Sequence, residues 1–410
     1  MNSFGADQTS DSGLMSNYDI FVPTFIDDPH ETYQKIRESA CPIGRIVKNE
    51  CASWLPTKYD DIVSISRDPA TFSSDSVLLP RSSRWDADPY EGVLPIPIMI
   101  DPPRHGFFRE LLQPYFSSQS VAKISPVIKQ TCDQLVEIIS NMDEVDVVPA
   151  YAQQVPAAVV GTLLGIPAEM RTKVATFAWK VQAFSSVTQD EADQAEIFIL
   201  DYLRDLIEDK RTHIDSTDDD DVISALLRRS AECQLSENDL LGIAYLLILA
   251  GLDTTSSVIS ASIWYLAEHQ DQRKRLIEDK TLWPTAIEEF IRFFSPVMMS
   301  RTVKRNVVFQ GCPMRAGDQV LLPYASACRD PEEFNNPDHL VLERKKNHHV
   351  AFGSGIHYCL GAQFARIELK TALQVWLKHF PDYSLCEGQH PVWIGPGIRA
   401  LQSCIVHPQP

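Results

Sequence analysis

Apolar residues recur at helical spacing through the middle of the chain. Between residues 104 and 280, long stretches place apolar side chains three and four positions apart, the spacing that buries one face of a helix. The longest of these stretches cover residues 121–141, 191–213 and 237–269. This part of the chain is therefore predicted to be largely helical.

The acidic run at residues 215–221 interrupts the helical pattern. It is expected to link two helices, with Asp221 as the N-cap of the second, because a carboxylate there accepts bonds from the first free backbone N–H groups. Runs of like charge are usually solvated, and we assign this one no further role.

The amino-terminal part has weaker periodicity. Residues 1–17 are polar and are predicted to be a disordered tail. A short helix is expected at 33–40, with strand-like pieces within 46–66. The stretch 73–103 is rich in Pro, Ser and Asp, and a loop of that length inside a compact protein is usually functional.

The pattern changes again beyond Pro296. Short apolar runs at 307–309 and 319–322 predict strands, separated by glycines and Pro313, and helical spacing returns at 360–379. We predict a mainly α-helical, α+β fold with small β-sheets, and the length of the chain allows two or three domains or one large domain.

Composition and charge restrict the binding partners and the cellular location that we expect. Of 410 residues, 44% are hydrophobic and 22% charged, as in soluble globular proteins. The formal net charge of −18 disfavours nucleic acid and anionic membranes as partners. No signal sequence is expected at the amino terminus, and the apolar run 240–252 is too short to span a bilayer. Nine cysteines without paired spacing favour a reducing cytoplasm.

One of these cysteines is a candidate metal ligand. In Phe352-Gly-Ser-Gly-Ile-His-Tyr-Cys359-Leu-Gly361, Cys359 lies at the start of an apolar helix behind a glycine-containing loop. A helix N-terminus is expected to lower the pKa of a thiol, and the thiolate is the form that binds metals. A single thiolate without a second nearby cysteine suits the axial position of a haem. The alternative is a buried structural cysteine.

This segment resembles the haem-binding loop of the cytochromes P-450, the haem-thiolate monooxygenases. The family's loop runs Phe-x-x-Gly-x-x-x-Cys-x-Gly, and Phe352, Gly355, Cys359 and Gly361 fill its fixed positions. The order of elements is also similar to the family's layout from end to end, and Asp101-Pro-Pro103 resembles a stretch of the bacterial camphor hydroxylase. The resemblance implies a single cytochrome P-450 domain over residues 18–410, with haem b buried between the long central helix and the helix after Cys359. Cys359 would bind the iron.

Two adjacent polar residues, Asp253 and Thr254, interrupt the apolar pattern of the long helix. Buried polar groups need hydrogen bonds, and a threonine hydroxyl can bond to the carbonyl one turn earlier. A helix kink with satisfied polar groups is the alternative reading. The resemblance implies instead that Thr254 lies where dioxygen binds and holds a water there, while Asp253 relays protons inward.

The resemblance also implies residues that hold the cofactor. Buried haem propionates need cationic partners, and the matching positions are His105, Arg109, Arg301 and His357; Phe352 and Gly353 would contact the haem from the cysteine loop. Glu289 and Arg292, three apart on an apolar helix, match the family's structural Glu-x-x-Arg pair, for which we expect a role in folding rather than in catalysis.

The substrate pocket is predicted by register against the family. Its apolar wall would consist of Ile98, Met99, Leu246, Leu249, Ala250, Val297, Met299 and Ile394. Such a wall favours a small hydrophobic substrate, aromatic or terpenoid. Arg81 and Arg84 in the long loop would allow an anionic head group, because arginine binds carboxylate or phosphate bidentately. The alternatives are that both arginines face water, or that one of them binds a haem propionate.

A basic patch precedes the cysteine loop in this acidic chain. Arg344, Lys345 and Lys346 are predicted to dock an acidic electron carrier, a ferredoxin or flavodoxin-like protein served by its own reductase. The leading hypothesis is a monooxygenase that uses dioxygen to hydroxylate a C–H bond. A peroxide-driven peroxygenase and a non-catalytic haem-thiolate sensor are the alternatives, and neither requires the pair Asp253 and Thr254.

Overall fold

The computed structural model describes residues 17–39, 41–48, 51–75, 93–182, 187–215 and 220–409. The predicted disordered tail therefore lies almost wholly outside the described residues, as do Arg81 and Arg84. One domain over residues 18–410 stays a prediction.

Helices make up most of the described chain. The α-helices are α1 Pro23–Asp27, α2 Pro29–Glu38, α3 Tyr59–Ser66, α4 Arg104–Leu112, α5 Ser118–Ile139, α6 Gln154–Leu164, α7 Ala168–Gln182, α8 Gln189–His213, α9 Val222–Cys233, α10 Glu237–Glu268, α11 Gln270–Glu278, α12 Trp283–Phe294, α13 Tyr324–Ala327 and α14 Ala362–His379. Single turns of 3-10 helix lie at Gln113–Phe116, Lys280–Leu282 and Gly355–His357, and a π-helical turn lies at Val148–Ala152.

The strands are short. They are β1 Asn17–Tyr18, β2 Ile43–Lys48, β3 Cys51–Pro56, β4 Phe72–Ser73, β5 Val145–Asp146, β6 Met298–Val303, β7 Val307–Phe309, β8 Cys312–Met314, β9 Gln319–Pro323, β10 Ser384–Leu385, β11 Trp393–Ile394, β12 Ala400–Leu401 and β13 Ile405–His407. One sheet has the order β1-β2-β3-β9-β6-β4 and another the order β10-β13-β5, while β7-β8 and β11-β12 form two-stranded pairs. The predicted α+β class with small sheets is confirmed.

Local sequence signals explain the ends of the main helices. The hydroxyl of Ser236 accepts a bond from the N–H of Asp239, whose carboxylate accepts one from the N–H of Ser236, and this capping box starts α10 at the predicted place. Asp221 caps α9 as predicted, accepting from the N–H of Ser224. Asp221 also forms a buried ion pair with Lys210 at 2.7 Å, so the end of the acidic run is not solvated.

Several short strands were not predicted, among them β6 and β8. β6 mixes polar and apolar residues, and four of its six residues are buried, on both faces of the strand. β8 contains Pro313, which was expected to separate strands; it is tolerated because β7 and β8 form a two-stranded pair in which a missing N–H breaks little pairing.

Helix α10 runs through the centre of the molecule and packs against α6, α7, α8 and α14. It is long and apolar enough to cross a membrane by length and composition, yet 78% of its most apolar window is buried inside the protein. That burial identifies α10 as a core helix. The middle of α10 and the start of α14 line the same large cavity.

Candidate active site

The loop before α14 positions Cys359. The N–H of Cys359 donates to the carbonyl of Phe352 at 2.8 Å, which closes the loop on itself. Gly355 has a φ of +73°, and a Cβ there would lie 2.6 Å from the backbone oxygen of Ser66. Only glycine meets both conditions, so the sequence pattern around Cys359 follows from the packing of this loop on α3.

The charge state of Cys359 differs from the sequence-based expectation. Helix α14 begins at Ala362 rather than at residue 360. Burial raises the pKa of the Cys359 thiol, while the N–H of Gly361 and the guanidinium groups of Arg109 and Arg366 act in the opposite direction. The expected lowering is therefore wrong for the protein without a ligand. A buried thiolate needs a strong positive partner at the sulfur, as a metal ion would supply.

Cys359 opens into a cavity of about 930 Å³. Thr254 lies on its α10 wall together with Ala250 and Gly251, and the hydroxyl of Thr254 donates to the carbonyl of Ala250 at 2.8 Å. This is the back-bond expected from the sequence. The sulfur and the threonine hydroxyl thus belong to one cavity.

Asp253 points away from that cavity. Its buried carboxylate accepts a 2.7 Å bond from Nε2 of Gln182, which also donates to the carbonyl of Leu249 at 2.9 Å. Asp253 lines a much smaller neighbouring cavity with Ser256 and Ser257, and Gln182 lines both cavities. Burial raises the pKa of Asp253 to about 7. The carboxyl group can therefore gain and lose a proton near neutral pH.

Gln182 was missed by sequence reasoning. It is the last residue of α7, far from the motifs in the chain, and a glutamine at a helix end carries no signal of its own. Glu368 was missed as well, although it stands out as an acidic residue on the apolar face of α14. Its Oε2 is buried without a described partner, and burial raises its pKa well above the ordinary value, which favours the protonated form.

Four nitrogen-bearing side chains lie near one another on the cavity wall: His105, Arg109, Arg301 and His357. The two imidazole centroids lie 4.2 Å apart. Nε2 of each histidine is buried without a hydrogen-bond partner, and Arg301 donates only to the carbonyl of Ser300 within the described part of the chain.

The histidines in this group are neutral. Burial, reinforced by the neighbouring arginines, lowers the pKa of His105 to about 4 and that of His357 to about 3. Buried donors without acceptors are costly, and buried guanidinium groups need anions. This part of the cavity therefore fits one or two carboxylates brought by a ligand.

The apolar wall agrees with the predicted set except at one position. The described part of the cavity is lined by Ile98, Met99, Leu246, Leu249, Ala250, Val297 and Met299. Ile394 does not line it, so that prediction is wrong: in β11 its side chain faces the small cavity beside Asp253. Ile398, which bridges to Val297, lies on the wall of the large cavity instead.

The segment carrying Ile98 and Met99 is held against α10. The N–H of Ile96 donates to the carbonyl of Gly242 at 3.2 Å. A Cβ at Gly242 would lie 2.1 Å from the carbonyl oxygen of Leu94, so the close approach depends on that glycine. The rest of the long loop that contains Arg81 and Arg84 lies outside the described residues.

Glu289 and Arg292 form a fully buried ion pair at 2.8 Å. Arg292 also donates to the carbonyls of Cys328, Pro337 and His339. Arg344 joins this network by binding Glu289 at 2.9 Å, and its side chain is only 9% exposed. The prediction that Arg344 faces a redox partner is therefore wrong. Its charge neutralises Glu289, whereas Lys345 and Lys346 remain exposed.

The residues of the cavity fit a haem. Cys359 is the one cysteine of the described lining, Thr254 lies on the α10 part of the wall, and the uncompensated donors match the two propionates. Phe352 and Gly353 line the cavity beside Cys359, as expected for contacts to the ring. A haem bound by these groups would bring the negative charges and the metal that the described side chains lack.

Comparison with known proteins agrees with this geometry. The family model "Cytochrome P450" (hereafter cytochrome P-450) matches residues 157–394. The chain is 35% identical to the vitamin D(3) 25-hydroxylase of Pseudonocardia autotrophica, over 90% of this chain and 91% of that protein. It is 33% identical to the monooxygenase PikC of Streptomyces venezuelae, over 92% and 91% of the two chains.

A solved structure gives the same result. The fold of this chain is similar to that of CYP109E1 of Bacillus megaterium, solved in complex with testosterone. The TM-score is 0.84 and the sequence identity 29%, over 95% of this chain and all of that one. The predicted single-domain fold of this family is confirmed. The family model and the relatives together show that this chain belongs to the cytochrome P-450 family, whose members are haem-containing monooxygenases.

Proposed function

We propose that this monooxygenase hydroxylates a C–H bond of a neutral, predominantly apolar molecule, using haem b and electrons from a separate ferredoxin- or flavodoxin-like protein. One observation carries the proposal: Cys359, Thr254 and the four donors His105, Arg109, Arg301 and His357 line a single, largely apolar cavity. Thiolate-ligated haem activates dioxygen and favours cleavage of its O–O bond.

The residues around the cavity would manage protons for that reaction. Thr254 would place a water beside the bound dioxygen through its hydroxyl, which already lies on the cavity wall. Asp253 would pass protons from the small polar cavity towards Thr254, and Gln182 would hold its carboxylate in place. The presence of this acid and threonine pair favours oxygen-dependent turnover over a peroxygenase or a sensor.

The distribution of charge supports a neutral substrate. Within the described lining, the arginine and carboxylic acid side chains are Arg109, Arg301 and Glu368. The arginines would be used by the propionates, and burial raises the pKa of Glu368 well above its ordinary value, which favours the uncharged form. The remaining wall is apolar, and the relatives include a vitamin D(3) hydroxylase and a testosterone-bound structure. An aromatic or terpenoid molecule is therefore the preferred class, with an acidic head group at Arg81 and Arg84 as the variant.

A ligand screen tests the substrate proposal. Purified haem protein would be titrated with neutral aromatics, aromatic acids, phosphate esters and terpenoids, and the ferric spin-state shift recorded in the Soret region. Neutral apolar compounds should give the largest shifts. Tighter binding of acids, lost in an Arg81→Ala and Arg84→Ala double variant, would establish the anionic class instead. Product formation with a ferredoxin and its reductase, compared with peroxide alone, separates the monooxygenase from the peroxygenase and sensor alternatives.

Asp253 should control the pH dependence of turnover. Because its pKa is about 7, the carboxyl group is protonated below that value and loses the transferable proton as pH rises through it. Turnover by the unmodified protein should therefore fall on the alkaline side of pH 7. Asp253→Asn should lower turnover about 100-fold and abolish this alkaline limb, since general acids contribute at least about that factor.

Rates of product formation between pH 6 and 9 check this expectation. Asp271→Asn, at an exposed carboxylate on α11, is the matched control and should leave the profile unchanged. An alkaline limb that persists in Asp253→Asn would rule out Asp253 as the group responsible.

Lys345 and Lys346 should determine encounter with an acidic electron carrier. Replacing both with glutamate should raise the KM for the carrier several-fold at low salt, with little change in kcat, because opposite charges increase association rates. Raising the ionic strength should shrink the difference between the two proteins. The control is Lys274→Glu, at an exposed position on α11. Equal effects of both changes would argue against docking at Lys345 and Lys346.

We propose a cytoplasmic location. The described cysteines are all free, as expected in a reducing compartment.

A further inference from the structure

A second group of metal-ligating side chains lies on the three-stranded sheet, apart from the haem cavity. Strand β13 pairs with β5 through Ile405 opposite Asp146 and Val406 opposite Val145. Continuing that register by one residue brings His407 beside Glu144. On its other side, β13 pairs with β10 through His407 opposite Ser384.

This register places three potential ligands on one face of the sheet. Residues opposite each other in an antiparallel pair point to the same face, as do residues two apart in a strand. Cys386 comes two residues after Ser384, so it shares a face with His407 and Glu144. The ligand atoms of Glu144, Cys386 and His407 all lie within 4.8 Å of one another.

Neighbouring groups orient these atoms. Nδ1 of His407 lies 3.0 Å from the carbonyl oxygen of Asp143, which leaves Nε2 on the side of Glu144, at 3.9 Å from Oε1. A carbonyl bound to the far nitrogen of a metal-binding histidine is a common arrangement, because it fixes the tautomer and the ring. Cys386 is 8% exposed, while Glu144 and His407 are open to solvent, so an ion has a route of entry.

We infer that Glu144, Cys386 and His407 form a binding site for a thiophilic divalent cation such as Zn²⁺, with solvent at the fourth position. A thiolate, an imidazole and a carboxylate are the ligand types that zinc binds in proteins, whereas Mg²⁺ and Ca²⁺ prefer oxygen ligands alone. The two anionic ligands balance the charge of the ion. The contrary possibility is a cluster satisfied by hydrogen bonds among its own members.

Bound zinc would join three distant parts of the chain. Glu144 follows α5, Cys386 follows α14, and His407 is the last residue of the last strand. The ion would therefore hold β13 in its sheet and should protect the folded protein against heat, since a ligand that binds only the folded state stabilises it.

Zinc binding by untagged, haem-loaded protein tests the inference. After removal of metals and equilibrium dialysis against Zn²⁺, the unmodified protein should retain one equivalent more than a Cys386→Ser and His407→Ala double variant, whose affinity at this site should fall more than tenfold. A Cys233→Ser and His390→Ala double variant, changed in the same residue types elsewhere, should retain as much zinc as the unmodified protein. Equal zinc content in all three proteins would overturn the inference.

A second measurement uses the unmodified protein alone. Zn²⁺ should slow alkylation of Cys386 by iodoacetamide, followed by peptide mass spectrometry, and should leave alkylation of Cys233 unchanged. Mg²⁺ should give no protection. Alkylation of Cys386 at the same rate with and without Zn²⁺, or equal protection by Mg²⁺, would refute a thiophilic site. Both measurements are independent of the haem reaction, and the Soret spectrum of each variant reports whether it is folded.

Discussion

Replacing Cys359 with serine is expected to abolish monooxygenase activity and to remove the long-wavelength Soret band of the reduced carbon monoxide complex. That band reports a thiolate opposite the bound gas, and a hydroxyl group cannot replace its electron donation to the iron. Haem content should fall as well, because the variant lacks the sulfur with which Cys359, on the cavity wall, would bind the iron. Spectra and pyridine haemochrome assays of the purified variant measure both effects.

The matched control for this change is Cys328→Ser. Cys328 is a fully buried free cysteine, but it does not line the described cavity. The folded fraction of the Cys328→Ser variant should keep the long-wavelength band. Retention of that band in Cys359→Ser would mean that another group binds the iron.

Replacing Arg292 with alanine is expected to lower the free energy of unfolding by about 3–5 kcal/mol, the range measured when one partner of a buried ion pair is removed. The change would leave Glu289 with Arg344 as its remaining ionic partner, and the carbonyls of Cys328, Pro337 and His339 would each lose the hydrogen bond from Arg292. The carbonyl of His339 would keep a bond from Arg344 at 3.3 Å. Those carbonyls belong to the segment that leads to the cysteine loop. Urea unfolding of the haem protein, followed by circular dichroism, measures the loss.

The control for Arg292 is an exposed ion pair. Lys274 and Glu278 lie 3.8 Å apart on the surface of α11, and Glu278→Gln should change stability by less than about 0.5 kcal/mol. A loss of similar size in both variants would contradict a special role for the buried network. Glu289→Gln offers a second test, since it removes the charge while keeping the shape of the side chain.

The regular parts of the fold could be predicted from the sequence because their signals are local. The central helix was located within one residue, since its capping box and its apolar run are both written in neighbouring residues. The capping role of Asp221 followed in the same way. β6 was missed because its pairing with β9 decides it, and local spacing carries little of that information. β8 was missed because Pro313 was interpreted as a separator, although β8 forms a hairpin with the neighbouring β7.

In the candidate site as well, residues in local motifs could be predicted, whereas residues placed by the fold could not. Cys359 and Thr254 belong to compact motifs, and the sequence indicated both. Arg344 was misassigned because a basic residue beside two lysines reads as surface charge, and only the fold brings it to Glu289. The place of Ile394 depends on which side of a two-residue strand faces the cavity, and a register error of that kind moves a side chain to the other face.

The position of Gln182 links the shape of the substrate to the efficiency of the reaction. Its side chain borders the large cavity and holds Asp253 through the amide. A ligand that pushes Gln182 aside would break the 2.7 Å bond to Asp253 and disturb proton supply. Badly fitting molecules should then consume reducing equivalents and release hydrogen peroxide without forming product. The stoichiometry of product to reduced nicotinamide is thus a measure of fit, separate from affinity.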